Sequence, residues 1–251
     1  MSLKSRTIIV TGGGSGIGAA TARHLASLGA SVAIVDVADA SSVVDEISSS
    51  GGVAEFFRAD VSSSVQVEEM VDAVAARFGR VDGAFNNAGV EQCNLPLHEL
   101  TSAQWDRAIR IDLTGVFNCL KYEAIAMLKT GGGAIVNTAS GLSKVAIPNA
   151  AEYVAAKHGV VGLTLAAAAD YGRRGIRVNA VLPGVVNTPM IMRVSRDPEF
   201  VEHVDAIRDR HLLGRFAEPV EIAEAVSWLL SDQAAFVTGA TLAVDGGFLA
   251  N

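Results

Sequence analysis

Apolar positions in this chain switch repeatedly between two spacings. Thr7-Ile-Ile-Val10 is a short run of strand composition, and Ile17, Thr21, Leu25 and Leu28 then recur at helical spacing up to a stop at Gly29. Residues 31–35 repeat the strand pattern, 40–50 form a polar helix, and Val53–Arg58 form a third strand. Ser63 with Gln66 predicts a capping box opening a helix to about Phe78. Gly83-Ala-Phe85 reads as a strand running into Asn86-Asn87-Ala88-Gly89. Thr101 with Gln104 predicts a second capping box, and the helix beyond it carries Trp105, Ile109, Leu113, Val116, Phe117 and Leu120. A strand at 134–138 follows three glycines, and a helix rich in Ala and Val begins after Pro148. Residues 177–182 form a sixth strand closed by Pro183-Gly184. The stretch 190–213 is less regular, though Phe200, Val201, Val204 and Ile207 suit a short amphipathic helix. Pro219 sits well as the first residue of a helix over 220–230, and Thr241–Val244 is a seventh strand.

Strands alternating with helices, without linker or repeat, predict an α/β chain: one domain over residues 1–251, a seven-stranded doubly wound parallel sheet with helices on both faces. Ligand turns in such a sheet gather at the carboxyl ends of the strands. Residues 12–18, Asp36, Asp60, 86–89, Ser140 and 183–188 all fall there.

The turn Gly12-Gly-Gly-Ser15-Gly16-Ile17-Gly18 joins the first strand to the first helix, where backbone N–H groups can meet a pyrophosphate at a helix N-terminus. A glycine turn alone is often an ordinary loop. Here Asp36 ends the next strand, about twenty residues on, where an acid accepts hydrogen bonds from an adenosine ribose. A carboxylate there repels a 2′-phosphate, and neither Gly13 nor Val37 offers a positive charge to hold one. NAD is expected over NADP.

The stretch from Ser140 to Lys157 carries the candidate chemistry. Tyr153 and Lys157 are four apart on one helix face, and a strand end delivers Ser140. A free phenol has a pKa of about 10. An ammonium about 5 Å away, at an effective dielectric of about 20, favours the phenolate by about 3 kcal/mol, or about 2 pKa units. That suits an acid/base, and the Ser140 hydroxyl can donate to a substrate oxygen. An isolated Tyr-x-x-x-Lys is usually only a helix surface; its place among the other ligand turns raises this one above that.

Composition narrows the classes. Of 251 residues half are hydrophobic, and the formal charge is −7, which argues against nucleic-acid or anionic-membrane partners. Cys93 and Cys119 match no metal or redox spacing and read as reduced thiols. His24, His98, His158, His203 and His211 show no metal spacing and read as surface or helix residues, so no metal is expected. No secretory signal or bilayer-length segment is evident, and a cytoplasmic location is expected.

Thr11-Gly12-x-x-x-Gly16-Ile17-Gly18, Asp60-Val61, Asn86-Asn87-Ala88-Gly89, Ser140, Tyr153-x-x-x-Lys157, Asn179 and Pro183-Gly184 occur in order over nearly the whole chain. In these the chain resembles the short-chain dehydrogenase/reductase family, in its shorter-subunit branch with a Rossmann domain. The resemblance implies that Tyr153 is the acid/base, that Ser140 positions the substrate oxygen, and that Lys157 binds the nicotinamide ribose and lowers the Tyr153 pKa. It implies cofactor contacts from Gly12, Ser15, Gly16, Ile17 and Gly18, from Asp60 and Val61 beside adenine, and from Asn87, Ala88 and Gly89. Pro183, Gly184, Val186 and Thr188 follow at the carboxamide end. It also implies a homotetramer, with the helices around Asp112 and Tyr153 in the main interface. One position departs from the family: Asp112 stands where an asparagine is usual, whose carbonyl holds a water of the proton relay. The aspartate can keep that carbonyl role. Its carboxylate could pair with Lys157 or satisfy a buried donor, and the second reading is favoured.

The activity expected is reversible hydride transfer between a secondary alcohol and NAD. Rivals are a catalytically silent dinucleotide-binding regulator or scaffold, and sugar epimerisation or dehydration. The substrate wall is expected from Val90, Glu91, Gln92, Gly141 and Leu142, with Met190, Ile191 and Met192 making it apolar and adaptable. Residues 190–213 are expected to close as a lid. Arg193 and Arg196 read as solvated lid surface rather than an anion site.

Overall fold

The computed structural model describes residues 1–194 and 198–250, with side chains except those of 193–194 and 198–203. Seven parallel strands, β1 (Thr7–Thr11), β2 (Ser31–Asp36), β3 (Val53–Arg58), β4 (Gly83–Asn86), β5 (Gly133–Thr138), β6 (Ile176–Pro183) and β7 (Thr241–Val244), form one sheet in the order β3-β2-β1-β4-β5-β6-β7. Strands β1, β2, β4 and β5 are buried along nearly their whole length, which is why their sequences run apolar instead of alternating.

Two apolar layers flank the sheet. On one face α3 (Ser64–Phe78), α5 (Gly115–Thr130) and α6 (Ala151–Tyr171) pack Val67, Val71, Val116, Leu120 and Val160 against Ile9, Ile135 and Val178. On the other α1 (Gly16–Ser27), α2 (Ser41–Ser49) and α9 (Pro219–Leu230) pack Leu25, Val43, Ile222 and Val226 against Ile8, Val10, Ile34 and Val136. The strand order reverses between β1 and β4, and the crevice outside their carboxyl ends is where such sheets bind ligands.

Two local expectations are modified. The capping box of α3 is half formed: Ser63 Oγ accepts from the Gln66 amide at 3.4 Å, but the Gln66 side chain turns to the Asp60 amide at 2.9 Å and so ties the helix to the end of β3. The Thr101–Gln104 box is complete. The single helix expected beyond it is continuous but wider in the middle: α4 (Ser102–Ala108) passes through a π-helical stretch (Ile109–Thr114) into α5. Such bulges frequently lie at functional sites, and this one carries Asp112 into the interior, 0% exposed.

The amphipathic helix expected within the less regular stretch is α8 (Pro198–Asp209), and a further short helix, α7 (Pro189–Val194), precedes it. Arg196 and the side chains of Arg193, Phe200 and Val201 lie outside the described residues.

Candidate active site

The glycine turn owes its shape to close backbone approach. Gly12 and Gly16 have φ of +61° and +52°, a region costly for other residues. A Cβ on Gly18 would stand 2.1 Å from the Gly12 carbonyl oxygen. Ser15 precedes α1 without capping it, and no acid sits in the first turn, so the leading amides of the helix have no side-chain partner. These features fit a dinucleotide pyrophosphate. Asp36 supports the turn from β2: its carboxylate accepts from the Gly14 amide at 3.0 Å and the Ala38 amide at 3.1 Å.

The turn after β4 locks onto the same loop. Thr11 Oγ1 accepts from the Asn87 and Ala88 amides at 2.9 and 3.1 Å, and Asn87 Nδ2 donates to the Thr11 and Gly12 carbonyls. Asn87, expected as a cofactor contact, thus also shapes the glycine loop. Asp60 and Val61 lie at the end of β3, where Asp60 Oδ1 accepts from the Ser62 amide and the Val61 carbonyl accepts from Asn118.

Beside the glycine turn opens a cleft of about 500 Å³. Ser140, Tyr153 and Lys157 all line it, with Ile17, Asn87, Gly89, Pro183, Gly184, Val186 and Thr188. Gly12, Ser15, Gly16, Gly18 and Ala88 form the adjoining turns. Asp36, Asp60 and Val61 are not in its wall. Thr188 reaches the glycine turn, since a Cβ on Gly16 would lie 3.2 Å from its methyl.

Ser140 ends β5 in extended conformation, and its Oγ accepts from the Leu142 amide at 3.1 Å, which leaves its hydrogen to donate. Lys157 is buried; its Nζ donates to the Thr138 carbonyl at 3.1 Å and stands 5.4 Å from the Tyr153 ring centre. The Tyr153 hydroxyl has no hydrogen-bond partner among the described residues.

Asp112 makes both contacts weighed for it. Its Oδ1 accepts from the Val90 amide at 2.9 Å and lies 3.9 Å from Lys157 Nζ, while Oδ2 has no hydrogen-bond partner among the described residues. The shorter bond is to the buried donor. Burial raises the pKa of this carboxyl, against the opposing pull of Lys157 and of the Val90 N–H. Gly89 leaves room for this carboxylate, since a Cβ on it would stand 2.6 Å from Asp112 Oδ1 and force the side chain to shift.

The rest of the wall is mainly apolar, with a few polar side chains set in it. Val90, Leu142, Met190 and Ile191 contribute as expected, with Glu91, Gln92 and Gly141 beside them. Met192 does not line the cleft and is 62% exposed, because α7 turns it outward. Ile207 and Arg210 join the wall from the stretch expected as the lid; Ile147, Pro148, Asn149 and Phe248 also line the cleft and were not expected. Pro148 marks itself only as a helix boundary, and no local pattern ties Phe248 to this place. His211, expected on a surface or an ordinary helix, is 2% exposed beneath the cleft. Among the described residues no group of three His, Cys, Asp or Glu could hold a metal, and Cys93 and Cys119 are free thiols.

Residues 12–249 match the family model for enoyl-(acyl carrier protein) reductase. The chain is 49% identical to the 2,5-dichloro-2,5-cyclohexadiene-1,4-diol dehydrogenase of Sphingobium indicum, over 99% of this chain and 98% of that one. It is 46% identical to the cis-4-hydroxycyclohexanecarboxylate dehydrogenase of Sinomonas cyclohexanicum, over 98% and 97%. A solved structure of a candidate NAD(P)-dependent gluconate 5-dehydrogenase from Beutenbergia cavernae, with bound NADP, superposes with a TM-score of 0.94 at 39% identity, over 100% of this chain and 99% of that one. Likeness this extensive, in sequence and in fold, means that the chain belongs to the short-chain dehydrogenase/reductase family and is an oxidoreductase of secondary alcohols and their ketones.

Proposed function

We propose that this enzyme interconverts six-membered carbocyclic secondary alcohols and ketones with NAD. The observation that carries the reading is the convergence of Ser140, Tyr153 and Lys157 on one cleft beside the glycine turn. In the oxidative direction the Tyr153 oxygen, as phenolate, takes the proton of the substrate hydroxyl. Ser140 donates a hydrogen bond to the same oxygen as it becomes a carbonyl. Lys157, pinned by Thr138, keeps a positive charge beside the phenol as charge on that oxygen changes. Bound NAD would supply the hydride acceptor. Gly12, Ser15, Gly16, Ile17 and Gly18 would hold its pyrophosphate, Asp36 the ribose, Asp60 and Val61 the adenine side, and Asn87, Ala88 and Gly89 the central stretch. Pro183, Gly184, Val186 and Thr188 would hold the nicotinamide end.

The ring class is supported by the wall and by two relatives. Val90, Leu142, Ile147, Ile191 and Phe248 offer an apolar surface of a size for a small carbocycle. The two curated relatives above are named for a cyclohexadiene diol and a hydroxycyclohexane acid. Residues 190–213 serve as the lid, since Met190, Ile191 and Ile207 from α7 and α8 face the cleft.

NAD is favoured by Asp36, whose carboxylate would meet a 2′-phosphate with like charge. Arg58, a cation nearby on β3, is engaged by the Val37 carbonyl at 2.8 Å. Initial rates with cyclohexanol, cyclohexanediols and open-chain alcohols, each with NAD and NADP, test both halves of the reading. Cyclic substrates with NAD are expected to win. In Asp36→Ala the ratio of kcat/KM for NAD over NADP is expected to fall about 10- to 100-fold, a loss of about 1.4–2.8 kcal/mol in discrimination. An unchanged ratio would place the discrimination elsewhere.

A cytoplasmic homotetramer completes the reading. Free Cys93 and Cys119 suit a reducing compartment. Trp105, Phe117 and Ile125 on α4 and α5 and Leu165 on α6 are 38–51% exposed, an apolar surface on the helices expected to pair. Sedimentation equilibrium is expected to give four chains per particle; a monomer at micromolar concentration would refute it.

A further inference from the structure

His211 follows the end of α8 and is buried, 2% exposed. Its Nδ1 lies 2.9 Å from the carbonyl of Ile207, one of the last-turn carbonyls that a helix leaves open. Its Nε2 lies 3.1 Å from the backbone nitrogen of Val185. A carbonyl can only accept and an amide N–H can only donate, so the two contacts fix the ring: neutral, with its proton on Nδ1 and a lone pair on Nε2. Phe216 and Phe248 pack on the ring at 5.7 and 5.3 Å between centres. Gly184 leaves room for it, because a Cβ there would stand 2.8 Å from Nε2.

The two backbones joined through this ring have different duties. Ile207 belongs to the cleft wall on the lid side. Val185 lies in the loop between β6 and α7, between Gly184 and the Val186 and Thr188 that reach the cleft. That loop is also held by a short bridge, in which the Ala217 amide donates to the Val185 carbonyl and the Asn187 amide to the Ala217 carbonyl, and by Asn187 Nδ2 donating to Glu218 at 2.6 Å. Among the described residues only His211 accepts from the Val185 amide.

We propose that His211 is a positioning residue for the dinucleotide: its imidazole fastens the end of the lid helix to the loop that grips the nicotinamide end. This rests on the placement of the dinucleotide given under Proposed function. Ser140, Tyr153 and Lys157 stand on β5 and α6, outside the fastening, so its loss acts on cofactor affinity and not on the chemical step.

Two substitutions separate the bonds. His211→Gln carries an acceptor as far as Nε2 and keeps the Val185 bond. His211→Asn is too short for Val185 and keeps only the reach to Ile207. NADH affinity by fluorescence titration, hydrogen exchange of the peptide containing Val185 in the cofactor-free protein, and kcat at saturating cofactor are measured for each. His211→Asn is expected to weaken NADH binding about 10-fold and to speed exchange at Val185, with kcat within about 2-fold of the parent. His211→Gln is expected to stay within about 3-fold on every readout. If His211→Asn binds NADH as the parent does, or if affinity, kcat and melting temperature fall together in both variants, the inference is overturned. A parent protein that binds no NADH overturns the functional reading itself, whereas a parent that binds it alongside an unaffected His211→Asn overturns only the role of His211.

Discussion

Replacing Tyr153 with Phe is expected to lower kcat for alcohol oxidation by about 10³-fold or more while leaving NADH affinity and the melting transition nearly unchanged. The first part follows from the role of the phenol oxygen: a positioned acid/base contributes about 10²–10⁴-fold. Among the described residues lining the cleft, neither Ser140 nor Lys157 offers a substitute at the same point, since both meet the reacting groups as hydrogen-bond donors and neither is a base for the hydroxyl proton. The second part follows from what the hydroxyl touches. It has no hydrogen-bond partner among the described residues, so its removal leaves no buried group unpaired, and the ring remains against Lys157. Stopped-flow single turnovers separate the chemical step from product release. Residual turnover within about 10-fold of the parent would take Tyr153 out of the reaction.

The parts of this site legible from sequence are those set by local geometry. The Tyr153–Lys157 pair follows from helical spacing, and the glycine turn from the demand for positive φ and close approach at Gly12, Gly16 and Gly18. Strands β1, β2, β4 and β5 were legible because buried parallel strands leave continuous apolar runs between glycine and proline breaks. Contacts between distant segments were not. Asp112 was weighed against both Lys157 and a buried donor, but the identity of that donor as the Val90 amide and the π-helical stretch that brings Asp112 to it are announced by no apolar spacing. Gln66 serves Asp60 instead of Ser63 because a strand end, invisible to a helix-capping rule, competes for its side chain. Phe248 and His211 enter the picture only when the turn after β7 folds back under the β6 loop.

Glu123→Gln is expected to stabilise the protein at pH 8 and to leave it nearly unchanged at pH 5. Glu123 lies on α5, 0% exposed, with Oε2 accepting from Asn86 Nδ2 at 3.0 Å. The same amide donates to Asn137, and Asn137 donates to Thr164, so a polar line crosses from α5 through β4 and β5 to α6. The line is short of donors: Glu123 Oε1 and Asn86 Oδ1 are both buried without a hydrogen-bond partner among the described residues. A charged carboxylate is therefore costly here. Burial pushes the Glu123 carboxyl up to about 7, against the smaller opposing pull of the Asn86 amide. In the unfolded chain it ionises near the ordinary carboxyl value of 4.5. Between those two values the folded state holds a proton that the unfolded state has released, so stability falls as pH rises through this window and levels off above about 7. The gap corresponds to a loss on the order of 3 kcal/mol at pH 8. A glutamine keeps an oxygen for Asn86, brings an NH₂ to a line that lacks donors, and never ionises. Thermal melts are expected to place the variant about 5–10 °C above the parent at pH 8, with the difference closing at pH 5. The same offset at both pH values would mean that the carboxyl does not titrate in this window.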